Sequence, residues 1–257
     1  MNVETVAQSN ASYVGGAHNT SMAGGSTMFS GVESIYFNPA GLTTLDNFGL
    51  DISYNRRYNL NELATVSLAG AKKIRKNAVG ISVSRFGYSA YSENRAGISY
   101  ARKIFNNVSI GGSFHYLGYN IDQYGSATRF TFDFGVQSEI NDKLHLGAYI
   151  FNPGSISLND DQDVPSRIGI GLKYMASSKA SIFIDASKTI DRDIDFKFSV
   201  DYKVVESFSL RGGANVTQSS IHFGPAYHMK NGLSIIGGYS FDNRLGHSTG
   251  LSISYSK

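Results

Sequence analysis

From Phe48 to the end of the chain, hydrophobic and polar residues alternate with a period of two. Phe48, Leu50, Ile52 and Tyr54 interleave with Gly49, Asp51, Ser53 and Asn55. Phe130, Phe132, Phe134 and Val136 interleave in the same way with Arg129, Thr131, Asp133 and Gln137. The pattern recurs at Phe196, Phe198, Val200 and Tyr202, and again at Leu251, Ile253 and Tyr255. Strict alternation of β-branched and aromatic residues with polar ones marks strands that bury or present one apolar face. About 14 such runs follow one another, near 47–56, 62–73, 77–87, 94–105, 107–119, 127–139, 143–151, 165–176, 179–188, 194–204, 207–217, 219–229, 232–242 and 247–256. No amphipathic stretch of helical length interrupts them, so successive strands run antiparallel.

The joins predict two unlike rims. Tight ones fall near Lys76-Asn77, Asn106-Asn107, Asn141-Asp142, Ser177-Ser178, Val205-Glu206 and Lys230-Asn231. Longer or more polar ones fall at 55–61, 87–93, 120–126, 152–164, 189–193 and 243–246, with a short join near Gln218 as the exception. In an up-and-down meander every second join lies at the same end, so tight turns gather at one rim and longer loops at the other.

Period two alone does not say which face meets the core. A soluble sandwich buries the Phe/Ile face, whereas an outer-membrane barrel turns that face to lipid. The large even number of runs, their membrane-crossing length and the alternating joins favour the barrel. So does a polar face rich in Gly and Ser, which suits a crowded lumen better than open water. The expected fold class is all-β: a 14-stranded antiparallel transmembrane β-barrel with a short N-terminal plug segment.

Composition then takes on a different meaning. The 257 residues carry 17% charge, no Cys, no Trp, 28 Gly and a net charge of +3, with a mean hydropathy of −0.17. No apolar run reaches the length of a transmembrane helix. In a barrel each strand gives only half its residues to lipid, so averaging hides the apolar surface. Tyr54, Tyr100, Tyr116, Tyr174, Tyr202, Tyr239 and Tyr255 lie near strand ends, as an interfacial girdle requires. The absence of Cys excludes thiolate metal sites, disulfides and cysteine catalysis. The small, scattered charge argues against a nucleic-acid partner.

Residues 1–45 break the period with Gly15-Gly16, Gly24-Gly25 and several Ser and Thr, and carry one or two short helices before Asn38-Pro39-Ala40-Gly41-Leu42. Two domains are therefore expected, a Gly-rich plug at 1–45 and the barrel at 46–257. No signal peptide is visible at the start. On the inward face both signs of charge are interspersed. Asp133, Asp185 and Asp201 are expected to pair with Arg or Lys from neighbouring strands, with Arg167, Lys197 and Arg211 as the partners, because an unpaired buried charge is costly.

Catalytic and metal chemistry finds little footing. There is no P-loop, G-x-S-x-G elbow or H-E-x-x-H. His222 and His228 lie about 20 Å apart along one strand and cannot share a metal. The run Asn159-Asp160-Asp161-Gln162-Asp163 lacks the Gly and closing Glu of a calcium loop and reads as a solvated loop. A serine hydrolase inside the barrel would need a Ser and a His with an orienting partner, and no such pair stands out. No cofactor is expected.

Ser34-Ile35-Tyr36-Phe37-Asn38-Pro39-Ala40-Gly41-Leu42 resembles the N-terminal Asn-Pro-Ala signature of the FadL-like outer-membrane transporter superfamily, and in particular its short PorV/PorQ-type branch in Bacteroidota. Gly25 with Ser26, the stretch from Ser84-Arg85-Phe86-Gly87-Tyr88 to Gly97-Ile98-Ser99-Tyr100, Phe151-Asn152-Pro153, Leu210-Arg211-Gly212-Gly213 and the closing Ser252-Ile253-Ser254-Tyr255 extend the likeness over nearly the whole chain. The resemblance implies a mature protein of the bacterial outer membrane whose signal peptide has been removed. It also implies a 14-stranded barrel with an N-terminal plug, in agreement with the strand count.

Two functions follow. Short loops and a salt-bridged lumen fit a non-enzymatic accessory or docking subunit of a secretion or assembly complex, with other outer-membrane or surface proteins as partners. This is the main expectation. The alternative is a FadL-like passive transporter of small hydrophobic molecules. It would need a hydrophobic pocket, for which Phe29, Ile35, Tyr36 and Phe37 on the plug are the candidates, and a break in the barrel wall. Gly87 is one candidate for that break.

Overall fold

The computed structural model describes residues 14–24, 27–155, 157–159, 162–190 and 192–257. Gly25, Ser26 and the Asp160-Asp161 centre of the acidic loop lie outside the described residues. Fourteen antiparallel strands close into a barrel. They are β1 (Phe48–Arg56), β2 (Ala64–Ile74), β3 (Asn77–Gly87), β4 (Tyr91–Lys103), β5 (Val108–Ile121), β6 (Gly125–Glu139) and β7 (Leu144–Phe151), followed by β10 (Arg167–Met175), β11 (Ala180–Thr189), β12 (Ile194–Val205), β13 (Phe208–Asn215), β14 (Ser220–His228), β15 (Leu233–Asp242) and β16 (Gly246–Ser256). The intervening β8 (Ser157–Asn159) and β9 (Gln162–Asp163) form a small separate hairpin within the join from β7 to β10. Closure comes from β1 against β16, in register from Gly49↔Ser256 to Arg56↔Thr249. Closure leaves no exposed strand edge, the condition for a sheet to stand in lipid.

Alternation decides which side chain goes where. On β1, Asp51, Ser53 and Asn55 are buried while Leu50, Ile52 and Tyr54 are exposed. Ile81 is 65% and Ile98 is 63% exposed, values that belong to a lipid-facing wall and not to a water-soluble sandwich. Around the outside, Phe114 stacks on Phe130 with ring centroids 5.6 Å apart, and Phe223 lies 4.8 Å from Tyr239. Such cross-strand aromatic pairs help fix the register.

The two rims differ less than the sequence suggests. Strand β4 begins at Tyr91, and β5 and β6 run to Ile121 and from Gly125. The joins expected at 87–93 and 120–126 therefore shrink to tight turns. Gly118 and the polar run Glu93-Asn94-Arg95 hide the continuing ladder from a pattern based on hydrophobicity. Only 57–63 and 152–166 remain long, both at the same rim, here called the loop rim. The opposite, turn rim holds the turns after β2, β4, β6, β10, β12 and β14, together with the start of β1 and the end of β16.

Candidate functional site

The N-terminal segment lies inside the barrel, along a track made of wall glycines. It contains α1 (Gly16–Ser21) and two 3₁₀ turns, Val32–Tyr36 and Pro39–Thr44. Thr20 packs on Gly238 of β15 and Gly250 of β16, Ser21 on Gly224 of β14, and Ala23 on Gly213 of β13. Thr27 meets Gly171 of β10, Met28 meets Gly147 of β7, and Asn38 meets Gly135 of β6. Ala40 then reaches Gly111 of β5, Ile35 reaches Gly80 of β3, and Val32 with Leu45 reaches Gly49 of β1. The segment thus makes a full circuit of the inner wall. A Cβ at Gly111 would sit 2.6 Å from the Ala40 nitrogen, and one at Gly171 would sit 2.6 Å from Thr27 Cβ. The high Gly content of the chain is, at these inward positions, a requirement for close approach.

The Asn-Pro-Ala-Gly-Leu motif is the anchor of this circuit. The Asn38 side chain accepts from the Ala40 N–H at 3.2 Å and caps the second 3₁₀ turn, which Pro39 opens. Its amide donates to the carbonyls of Thr27 at 3.0 Å, Val136 at 3.2 Å and Ala148 at 3.3 Å, bridging the segment to β6 and β7. Ala40 and Leu42 are fully buried, and Leu42 packs in a cluster with Ile35, Tyr36, Ala69, Ala71, Ala78 and Ala101. A side chain at Gly41 would collide with the Phe29 carbonyl.

Opposite the motif, Asp51 of β1 gathers donors from both segment and wall. His18 Nε2 lies 3.0 Å from Asp51 Oδ2, and Tyr36 donates to Oδ1 at 3.2 Å. Ser254 donates at 2.6 Å and Ser53 at 2.5 Å. All five side chains are buried. This Ser/His/Asp grouping lacks the geometry of a nucleophile. The Ser254 hydroxyl donates to the carboxylate, and one imidazole nitrogen, Nε2, faces both Asp51 and Ser254. A triad needs opposite ring nitrogens for acid and nucleophile. Among the described residues no group of three or more His, Cys, Asp or Glu could hold a metal ion.

The lumenal charges are distributed among several small clusters. Asp201 pairs with Arg211 at 3.0 Å on the turn side. Asp133 takes Arg95 at 3.2 Å and His115 at 2.7 Å, so its partners come from β4 and β5 and differ from those expected. Lys197 pairs with its strand neighbour Asp195 at 3.1 Å. Asp185 accepts the Thr27 N–H at 2.9 Å and so holds the segment to β11. Arg167 lies over the Tyr149 ring at 5.4 Å, as Arg95 lies over Phe151 at 5.1 Å. Arg95, His115 and His18 carry no signal in the hydrophobic pattern, because their partners depend on strand register.

Among the described residues the lumen holds a vestibule and two smaller chambers. A cavity of about 650 Å³ opens at the loop rim between Arg192, Gln218 and Arg244 and ends on Asn19, Ala23 and Phe37. On the turn side, cavities of about 300 and 240 Å³ share Ser30, Glu33, Arg211 and His228. Between vestibule and turn-side chambers stand Phe37 and Phe29, with ring centroids 5.0 Å apart, and Met22. Tyr36 lies edge-on to Phe37 at 6.2 Å. Of the four pocket candidates, Phe29, Tyr36 and Phe37 thus form one aromatic layer, while Ile35 packs against the wall at Gly80. Loss of water pushes the Glu33 carboxyl above its ordinary range, partly offset by His18, and pushes the Tyr36 hydroxyl well above its own.

Strand pairing in the wall lapses behind α1. Pairing of β14 with β15 runs from Ser220↔Asp242 to Phe223↔Tyr239, lapses at Gly224 and Pro225, and resumes at Ala226↔Ile236. Proline has no N–H to give the ladder. Ala17 of α1 packs with Ala226 and Ile236 at this point. Gly87 makes no such gap, since β3 and β4 pair without interruption from Asn77↔Arg102 to Gly87↔Ser92.

These features define a membrane β-barrel with a segment of its own chain lodged in the lumen. Solved structures share the fold: the Ralstonia pickettii toluene transporter TbuX (TM-score 0.72, 13% identity, 94% of this chain and 97% of that chain covered) and the Pseudomonas putida toluene transporter TodX (TM-score 0.70, 13% identity, 94% and 97%). A Pseudomonas aeruginosa FadL homologue is similar as well (TM-score 0.69, 13% identity, 94% and 98%). No protein-family model and no curated protein matches the sequence.

Proposed function

We propose that the chain is a passive outer-membrane transporter of small hydrophobic molecules, with residues 14–45 acting as a plug. The observation that carries this reading is the vestibule of about 650 Å³ that descends from the loop rim onto Phe37, in a fold shared with toluene transporters. Below polar walls, the floor offers the ring of Phe37, backed by Phe29, as an apolar surface for a flat solute. The lapse in pairing at Gly224 and Pro225 supports the reading further, because a shift of α1 would open the lumen toward lipid there. The accessory role, favoured by the sequence, draws no support from the fold comparisons.

The test is initial uptake of labelled toluene by intact cells of a Gram-negative host lacking its own hydrocarbon channel. The intact outer membrane matters, because simple phospholipid vesicles let toluene through unaided. Expression is expected to raise the initial rate, and Phe37→Arg, which charges the vestibule floor, is expected to return it to background. An unchanged rate on expression, together with a stoichiometric protein partner co-purified from native membranes, would favour the accessory role instead.

A further inference from the structure

The outer wall carries a depression on the side of β1–β6, remote from the vestibule. Gly70 stands between Leu50 and Ile81 in one outward row, and Gly112 stands between Tyr100 and Phe134 in the row nearer the turn rim. Two missing side chains at neighbouring heights leave an apolar hollow of about 790 Å³, within the roughly 300–1,000 Å³ typical of ligand sites.

The rim-side mouth of this hollow is basic. Lys72 lines the hollow itself. Arg102 faces outward one position nearer the rim, opposite Asn77, and Arg75 and Lys76 form the turn between β2 and β3. All four are exposed, and among the described residues none of them makes an ion pair. Elsewhere toward this rim the outward strand positions hold Tyr174, Tyr202 and Tyr227, and the turns after β6, β10 and β14 carry one lysine each, Lys143, Lys179 and Lys230. Four unneutralised cations beside one another repel, so their clustering at the edge of an apolar hollow calls for an anion with an apolar body.

We infer that the hollow binds one phospholipid of the turn-side leaflet, its acyl chains across Gly70 and Gly112 and its anionic headgroup on Lys72, Arg75, Lys76 and Arg102. Short turns mark the periplasmic side of outer-membrane barrels, which places the site in the periplasmic leaflet. The inference rests on the outer-membrane placement proposed above and not on the identity of the solute.

Native mass spectrometry of the full chain in detergent, titrated with phosphatidylglycerol, tests it. The wild-type chain is expected to retain one lipid under activation that strips the others. The quadruple variant K72Q/R75Q/K76Q/R102Q is expected to bind at least about tenfold more weakly. Gly70→Leu with Gly112→Leu, which fills the hollow and keeps the cations, is expected to lose the retained lipid. Arg85→Gln, an outward cation at the other rim, is expected to behave as wild type. Heat-modified mobility on a gel confirms that each barrel is folded. Equal retention by wild type and the quadruple variant would overturn the proposal, as would equal retention by the filled variant or tighter binding of lipid A than of phosphatidylglycerol. Toluene uptake is read separately, so either reading can fail alone.

Discussion

Replacing Asp51 by alanine is expected to release the lumenal segment while leaving the barrel closed. The carboxylate has 0% exposure and meets four donors, of which His18 and Tyr36 belong to the segment and Ser53 and Ser254 to the wall. A buried donor left without an acceptor costs about 1–3 kcal/mol. Ser254 Oγ stays within 3.3 Å of His18 Nε2, so the Tyr36 hydroxyl is the donor left orphaned, and docking weakens by about 1–3 kcal/mol, which raises the undocked population at least about fivefold. Hydrogen exchange read by mass spectrometry reports this directly. Amides in 14–24 and 27–45 are expected to lose protection by that factor, while amides of β5 and β6 keep theirs. Asp51→Asn, which keeps one acceptor oxygen, is expected to fall between. Unchanged protection of the segment in a folded Asp51→Ala barrel would show that this cluster does not clasp it. Equal loss of protection in the strands would show that Asp51 serves the barrel instead.

Three further outcomes follow from the same geometry. Gly135→Val places side-chain atoms on the Asn38 amide and is expected to undock the motif; limited proteolysis within 27–45 checks this, with Gly212→Ala, whose nearest neighbour is 3.6 Å away, as the tolerated control. Arg95→Ala leaves Asp133 on His115 alone and is expected to cost about 1–3 kcal/mol of barrel stability, measured by urea unfolding in lipid vesicles. Burial raises the Glu33 carboxyl, so its contribution to docking is full below its unfolded value and is lost as pH rises through the folded one. Segment protection factors, with the intrinsic pH dependence of exchange divided out, are therefore expected to fall from mildly acidic toward neutral and alkaline pH in wild type, and to fall less in Glu33→Gln.

Much of the architecture was legible in the alternation. Runs such as Phe130 to Val136 declare a strand and its apolar face, and tight turns at Asn141 or Val205 declare antiparallel neighbours. Legibility ended where side chains became small or uniformly polar. Tyr91-Ser92-Glu93 and Gly118 to Ile121 carry no clear alternation, yet backbone pairing continues through them. The Asn-Pro-Ala-Gly-Leu motif could be found but not placed, because its seat depends on Gly135 and Gly111, two glycines among 28. Charge pairing shows the same limit. Asp201 meets Arg211 in direct cross-strand register. Asp133 instead finds Arg95 two strands away across His115, a relation no linear pattern encodes.

The central claim is that apolar solutes occupy the lumen at the aromatic layer. A crystal soaked with bromobenzene tests it through the anomalous signal of bromine. A peak is expected between the vestibule and the Phe29–Phe37 pair, lost in Phe37→Arg. Bromine found solely on the outer wall, with the aromatic layer vacant at saturating solute, would contradict it.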